Sequence, residues 1–184
     1  MTKIGVIVGS ARTGSFSRIV AETVLGFLPA EFEACILEIK DLPLYNQDFD
    51  QEGKTPAAYD LFRKQVGESE AFLFVTPEHN RSIPALLKNA LDVASRPMSN
   101  NMWSGKPGAI ISVSPGAIGA FGANHITRQS LSFLNVFMMQ QPEAYVGNVT
   151  DAIDAEGKIT AERSLVFLKS IADSFTSWVK RFKV

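Results

Sequence analysis

Hydrophobic and polar positions along the chain switch repeatedly between two periods. Residues 4–8, Ile-Gly-Val-Ile-Val, are a short run of apolar β-formers. Phe16, Ile19, Val20, Val24, Phe27 and Leu28 then recur at helical spacing. Residues 33–39 read as a second strand, and residues 71–75, Ala-Phe-Leu-Phe-Val, as a third. The third is apolar without interruption, as expected of a sheet covered on both faces. Residues 108–113 give a fourth strand, and a fifth falls between Val136 and Val146.

The helices between them carry start signals. Thr55 reads as an N-cap with Pro56 at the first helical position, and the helix runs through Leu61, Phe62 and Val66 to Gly67. Ser82 reads as the cap of the next helix, with Pro84 in its first turn. Its stripe of Ile83, Leu86, Leu87, Ala90, Leu91 and Ala94 is the cleanest in the chain. A glycine-rich turn precedes a helix over residues 120–134. The last helix starts near Thr160 and ends on Lys180, Arg181 and Lys183, which suit its negative end.

This alternation predicts an α/β fold: one domain over residues 1–184, an open parallel sheet with helices on both faces. Residues 41–53 and 97–107 are longer than the fold needs, which points to a site or an interface.

Composition narrows the partners. With 18 basic and 19 acidic residues the net charge is −1. That excludes broad electrostatic binding of nucleic acid or an anionic membrane, and disfavours a strongly acidic electron carrier. No apolar stretch is long enough to span a bilayer, and no signal-peptide core is visible, so the cytoplasm is the expected location. Cys35 is the only cysteine; within Ala-Cys-Ile-Leu it reads as a buried small hydrophobe.

The chemistry concentrates in the turn Gly9-Ser10-Ala11-Arg12-Thr13-Gly14-Ser15-Phe16-Ser17, between the first strand and the first helix. Such a turn aims backbone amides and the positive end of a helix at one spot, which suits a phosphate. Serine hydroxyls and Arg12 add donors. The turn is neither a Walker loop nor a Gly-x-Gly-x-x-Gly fingerprint, and an ordinary turn with a serine cap stays equally open. In an open parallel sheet, ligands bind outside the carboxyl ends of the strands where strand order reverses. In the order 2-1-3-4-5, residues 9–17 and 76–82 face each other there, flanked by residues 114–122. That layout suits FMN. Its phosphate would sit on the first loop. Its ring would rest against Pro77, Glu78, His79 and Asn80, and against Ser114 and Gly116, where small residues let backbone approach closely.

Other residues are weighed separately. His79 and His125 lack companions at ligand spacing, so no metal site is expected. Glu78 reads as fixing its turn, with a general base as the alternative. Lys88, Asn89 and Asp92 form either a solvated face with a local ion pair or part of an interface. Trp103 and Met102, in a loop, would cap a neighbour's flavin or cover the sheet edge.

The chain resembles the NADPH-dependent FMN reductase family, and within it the bacterial chromate and quinone reductases. The resemblance covers nearly the whole chain. It is carried by residues 9–16, by Pro77-Glu78-His79-Asn80-x-Ser82-Ile83-Pro84 and by Leu87-Lys88-Asn89-Ala90-Leu91-Asp92 with Ser95-Arg96-Pro97. Gly105-Lys106-Pro107 and Gln141-Pro142-Glu143 add to it. It implies a flavodoxin-like three-layer sandwich that binds FMN and draws electrons from NADPH or NADH. Phosphate contacts are implied from Ser10, Arg12, Ser15, Phe16 and Ser17, and ring contacts from Pro77 to Asn80 and from Ser114 onward. A small-molecule electron acceptor, such as a quinone, a free flavin, an azo compound or chromate, would be reduced by two electrons. A homodimer or homotetramer with the flavin near the interface is implied as well. Two positions depart from the family pattern. His79 stands where tyrosine is usual, and Phe121-Gly122 stands where close relatives carry Gly-x-Arg, which disfavours chromate. The rival readings are a flavodoxin-type carrier indifferent to NADPH and a colourless phosphate-ester hydrolase.

Overall fold

The computed structural model describes residues 1–182. Six strands, β1 (Thr2–Val8), β2 (Phe32–Ile36), β3 (Ala71–Thr76), β4 (Pro107–Val113), β5 (Phe137–Met138) and β6 (Ala144–Val146), form one parallel sheet. The order is β2-β1-β3-β4-β5, with β6 also paired to β4. The expected fifth strand is therefore two short ones. Pro142 lies between them and has no N–H to give to a ladder.

Helices α1 (Phe16–Leu25), α2 (Ala57–Glu68), α3 (Ala85–Ala94), α4 (Phe121–Phe133) and α5 (Glu162–Lys180) cover both faces. The pleat of β3 sorts the core. Leu73 and Val75 join Val20, Val24, Leu168 and Phe175 from α1 and α5. Phe72 and Phe74 face the other way, onto Phe62, Leu87, Leu91 and Trp103. Every residue of β3 is buried, which is why its sequence never alternates.

Several expectations are corrected. The helix after β3 begins at Ala85, and Ser82 does not cap it; Pro84 holds that place with no side-chain cap. Ser82 instead exchanges two backbone hydrogen bonds of 2.9 Å with His79, which spends it on a hairpin. Likewise Pro56, not Thr55, precedes α2 as the cap residue, and the Thr55 hydroxyl donates to the Phe49 carbonyl at 2.8 Å. Cys35 is exposed, because it lies on the edge strand β2, beyond the reach of the covering helices. Trp103 is 0% exposed and central to the core. Its ring meets Phe72 edge-on at 4.8 Å, and its N–H donates to the Leu91 carbonyl at 3.1 Å. A loop aromatic became a core residue because Met102 and Trp103 tuck against α3, the Met102 amide donating to the Ala94 carbonyl at 3.0 Å. Lys183 lies outside the described residues.

The first long segment is tied to the core by long-range polar contacts. Asn89, only 6% exposed, donates to the carbonyls of Leu42 and Pro43 and accepts from the Tyr45 amide. Its place on α3 is thus inward, not on a solvated face. Lys88 and Asp92 do form the expected surface pair, at 2.7 Å. Arg63 pairs with Asp50 at 2.6 Å, and Asp50 also accepts from the Tyr45 hydroxyl at 2.7 Å. Desolvation and that acceptor push the Tyr45 hydroxyl up to about 12. Lys106 spans the end of α2, donating to the carbonyls of Val66 and Gly67 at 2.8 and 3.0 Å. Burial lowers its pKa from the ordinary lysine value.

Candidate flavin cleft

A cleft of about 510 Å³ opens at the carboxyl ends of β1, β3 and β4. Its size falls within the roughly 300–1,000 Å³ typical of cofactor sites. It lies where the strand order reverses, between β1 and β3.

The first wall is the turn between β1 and α1. Ser10, Arg12, Ser15, Phe16 and Ser17 all line the cleft. Ser15 caps α1, its hydroxyl oxygen accepting from the Arg18 amide at 3.3 Å. The amides of Phe16 and Ser17, in the first turn, have no helical carbonyl behind them to bond. No acidic residue occupies that turn, so the positive helix end is not offset from within. Arg12 braces the turn: its guanidinium donates to the Gly14 carbonyl at 2.8 Å and lies 4.8 Å from the centre of the Phe16 ring.

The second wall follows β3. Pro77 and His79 line the cleft, whereas Glu78 and Asn80 do not. Neighbouring side chains along extended backbone point to opposite sides, so Glu78 turns away from the cleft when Pro77 and His79 face it. Its carboxylate accepts from the Ala123 amide at 3.1 Å and pairs with Arg81 at 3.1 Å. This fixes the turn, and it leaves the carboxylate badly placed to act as a base inside the cleft.

The third wall follows β4. Val113 and Pro115 line the cleft, while Ser114 and Gly116 do not. The Ser114 hydroxyl instead accepts from the Gly116 amide at 3.0 Å, closing a local turn. Pro84, Ala85 and Leu86, from the start of α3, also line the cleft and were not singled out as site residues by sequence reasoning. Their signal was available: the first turn of a helix that follows a site loop approaches the same strand ends. Beyond this wall, Phe121, His125 and Tyr145 cluster, with His125 Nε2 3.0 Å from the Tyr145 hydroxyl. His125 thus makes an exposed hydrogen bond within this cluster.

The residues present fit a flat cofactor with a phosphate tail. Amides and hydroxyls converge at one end. Prolines, Leu86 and Val113 supply apolar contact at the other.

Comparison with known proteins agrees with that geometry. The profile of the NADPH-dependent FMN reductase family matches residues 2–151. A quinone reductase of Pseudomonas putida is 51% identical over 177 residues, covering 96% of this chain and 94% of that one. A 2-hydroxy-1,4-benzoquinone reductase of a Burkholderia species is 41% identical, covering 99% and 98%. Among solved structures, a flavoenzyme NAD(P)H:(acceptor) oxidoreductase from Paracoccus denitrificans superposes with a TM-score of 0.92 at 35% identity, covering 100% of both chains. A chain with this cleft, this strand order and these relatives belongs to the NADPH-dependent FMN reductase family, whose members are flavin-dependent oxidoreductases.

Proposed function

We propose that the chain binds FMN in the cleft between the three walls and uses NAD(P)H to reduce quinones or similar small acceptors. One observation carries the reading: an α1 N-terminus without acidic residues, capped by Ser15, opens into a cleft at the switch point of the sheet. The phosphate of FMN would be held by the amides of Phe16 and Ser17 and by hydroxyls of Ser10, Ser15 and Ser17, with Arg12 at the rim. The ring would meet backbone groups of residues 77–80 and 114–116, with Glu78, Asn80, Ser114 and Gly116 contributing main chain rather than side chain. When bound, the flavin supplies hydride acceptance from the nicotinamide and hydride delivery to the acceptor.

The chain's own residues orient and desolvate. Pro77, Pro84, Leu86 and Pro115 remove water from the walls, which strengthens each hydrogen bond made inside. Amides aimed into the cleft favour negative charge there, and so favour the reduced state of a bound flavin. His79 offers a ring edge along this wall.

Quinones are the acceptors of choice, and chromate ranks below them because Gly122 offers no cation. The chain works as a single domain. The exposed Phe121 and Phe133 support assembly into a homodimer or homotetramer with the cleft near an interface. Among the described residues no helix is long and apolar enough to cross a membrane. The exposed thiol of Cys35 suits a reducing compartment such as the cytoplasm.

Purified protein tests the reading. It should carry flavin absorbance that NADPH bleaches without oxygen and that a quinone restores. A colourless protein that takes up no FMN refutes it; a yellow protein indifferent to NADPH is a carrier instead. An acceptor panel at fixed NADPH ranks the substrates, and light scattering gives the assembly.

A further inference from the structure

The loop that forms the second wall carries an unusual turn. His79 and Ser82 pair across a two-residue hairpin whose central residues, Asn80 and Arg81, have φ of 51° and 64°. Both central residues at positive φ is the type I′ pattern, which favours Asn followed by Gly. Asn80 tolerates this backbone; Arg81, with a β-carbon and a long side chain, is disfavoured there. Something outside the hairpin must hold it.

That support is Glu78. Its side chain is 12% exposed. One carboxylate oxygen accepts from Arg81 Nη1 at 3.1 Å, and the other accepts from the Ala123 amide at 3.1 Å. Ala123 sits in the first turn of α4, whose cap position is Ala120, with no side-chain cap of its own. A carboxylate at an uncapped helix N-terminus is held by both amide and dipole. Gly122 permits the approach. A β-carbon there would lie 2.9 Å from Glu78 Oε2 and 3.0 Å from the Arg81 carbonyl oxygen. Pro77 and His79, on either side of Glu78, are the residues of this loop that line the cleft.

We infer that Glu78 is a positioning residue for the flavin site: its bond to the Ala123 amide, across Gly122, clamps the Pro77–His79 wall to the start of α4. This rests on the reading of the cleft as an FMN site. The clamp explains why a loop with a disfavoured turn can serve as one fixed side of a cofactor slot. It also assigns Gly122 a task, as the gap through which loop and helix meet.

The test compares wild-type holoenzyme with Glu78→Ala, Glu78→Gln and Gly122→Ala. FMN dissociation constants, the visible spectrum of the bound flavin, and kcat and KM for a quinone are read for each. Glu78→Ala should bind FMN about tenfold more weakly, the loss expected of one charge-assisted hydrogen bond, and shift the spectrum. Glu78→Gln keeps a carbonyl acceptor for the Ala123 amide and should stay within roughly threefold of wild type. Gly122→Ala, with its acid intact, should weaken FMN in the same direction as Glu78→Ala and shift the spectrum the same way. If Glu78→Ala does not fold, Gly122→Ala decides by the same criterion. Variants that melt earlier yet bind FMN with wild-type affinity and spectrum overturn the positioning role, as does a Glu78→Gln as weak as Glu78→Ala. A wild type that takes up no FMN sinks the function and this role together. A yellow, active wild type beside indifferent variants sinks this role alone.

Discussion

The turn at residues 9–17 and the loops at residues 76–82 and 114–120 wall one cleft but are held by different means. In the first, the Gly9 amide donates to the Val75 carbonyl at 2.8 Å where β1 ends, and the side-chain braces beyond it are local. Ser10 accepts from the Arg12 amide, Arg12 donates to the Gly14 carbonyl, and Ser15 accepts from the Arg18 amide. None of these three side-chain bonds spans more than three residues. In the second, the Glu78 carboxylate reaches Ala123, 45 residues on. In the third, the Ser114 amide donates to the Val146 carbonyl at 2.9 Å, and the Asn148 amide to the Gly116 carbonyl at 3.3 Å. A locally braced wall can form with its own strand and helix. A remotely braced wall exists only once distant elements have docked, so its geometry inherits their errors.

Substitutions that strike remote braces should therefore do more harm than those that strike local ones. The largest effect is expected at Gly147. A β-carbon there would lie 2.3 Å from the Ala117 carbonyl oxygen, a backbone atom that cannot rotate away. Gly147→Ala should cost about 1–3 kcal/mol of stability by overpacking. At about 2–4 °C per kcal/mol for a chain of this size, a thermal melt resolves that loss. A melting temperature equal to wild type would show the third wall to be loosely held.

Ser15→Ala strikes the local wall. Loss of the cap should cost about 1 kcal/mol, with a fall of about 2–4 °C in melting temperature and weaker FMN binding. If it proves more damaging to stability than Gly147→Ala, the contrast between walls is reversed.

Alkaline pH sharpens the comparison without a mutation. Burial, then the hydrogen bond and charge of Glu143, push the Tyr145 hydroxyl from 10.0 up to about 12. The folded chain holds this proton more tightly than the unfolded chain does. Its contribution is complete below pH 10 and is lost as pH rises toward 12. Tyr45, raised to about 12 by burial and Asp50, acts in the same sense. Unfolding free energy measured by denaturant should thus fall across that window, and Tyr145→Phe should flatten part of the fall. The smallest effect is expected from Arg12→Ala. Its guanidinium is exposed and braces carbonyls one and two residues away. Stability should stay within about 0.5 kcal/mol. FMN binding should weaken modestly at low salt, with the difference from wild type shrinking as salt screens the charge.

The same distinction explains which features are legible in the sequence. The strand–turn–helix at the amino end was legible because its pattern, cap and amides are neighbours in the chain. The stripe of α3 and the unbroken run of β3 were legible because burial imposes a period on sequence. Ser82 was misread because its capping chemistry was real but was outcompeted by a hairpin with His79. Trp103 was misread because a loop residue reveals nothing of the helix that will cover it. Cys35 was misread because an apolar run does not say which strand will stand at the edge. Asn89 looked like part of a polar face, yet it turns inward to carbonyls 46 and 47 residues back.

The sequence by itself determined the alternation of strands and helices, the helix N-terminus facing the cleft, and kinship with flavin reductases through ordered short motifs. Those are properties of neighbouring residues, set by backbone propensity, side-chain period and local hydrogen bonds. Only the tertiary structure decided which side chains of the site loops face the cleft and which anchor elsewhere. It sent Glu78 outward to α4, closed Ser114 upon Gly116 and brought Pro84, Ala85 and Leu86 to the rim. The reason is that a side chain in an irregular loop is aimed by whatever packs against its backbone, and those partners are dozens of residues away.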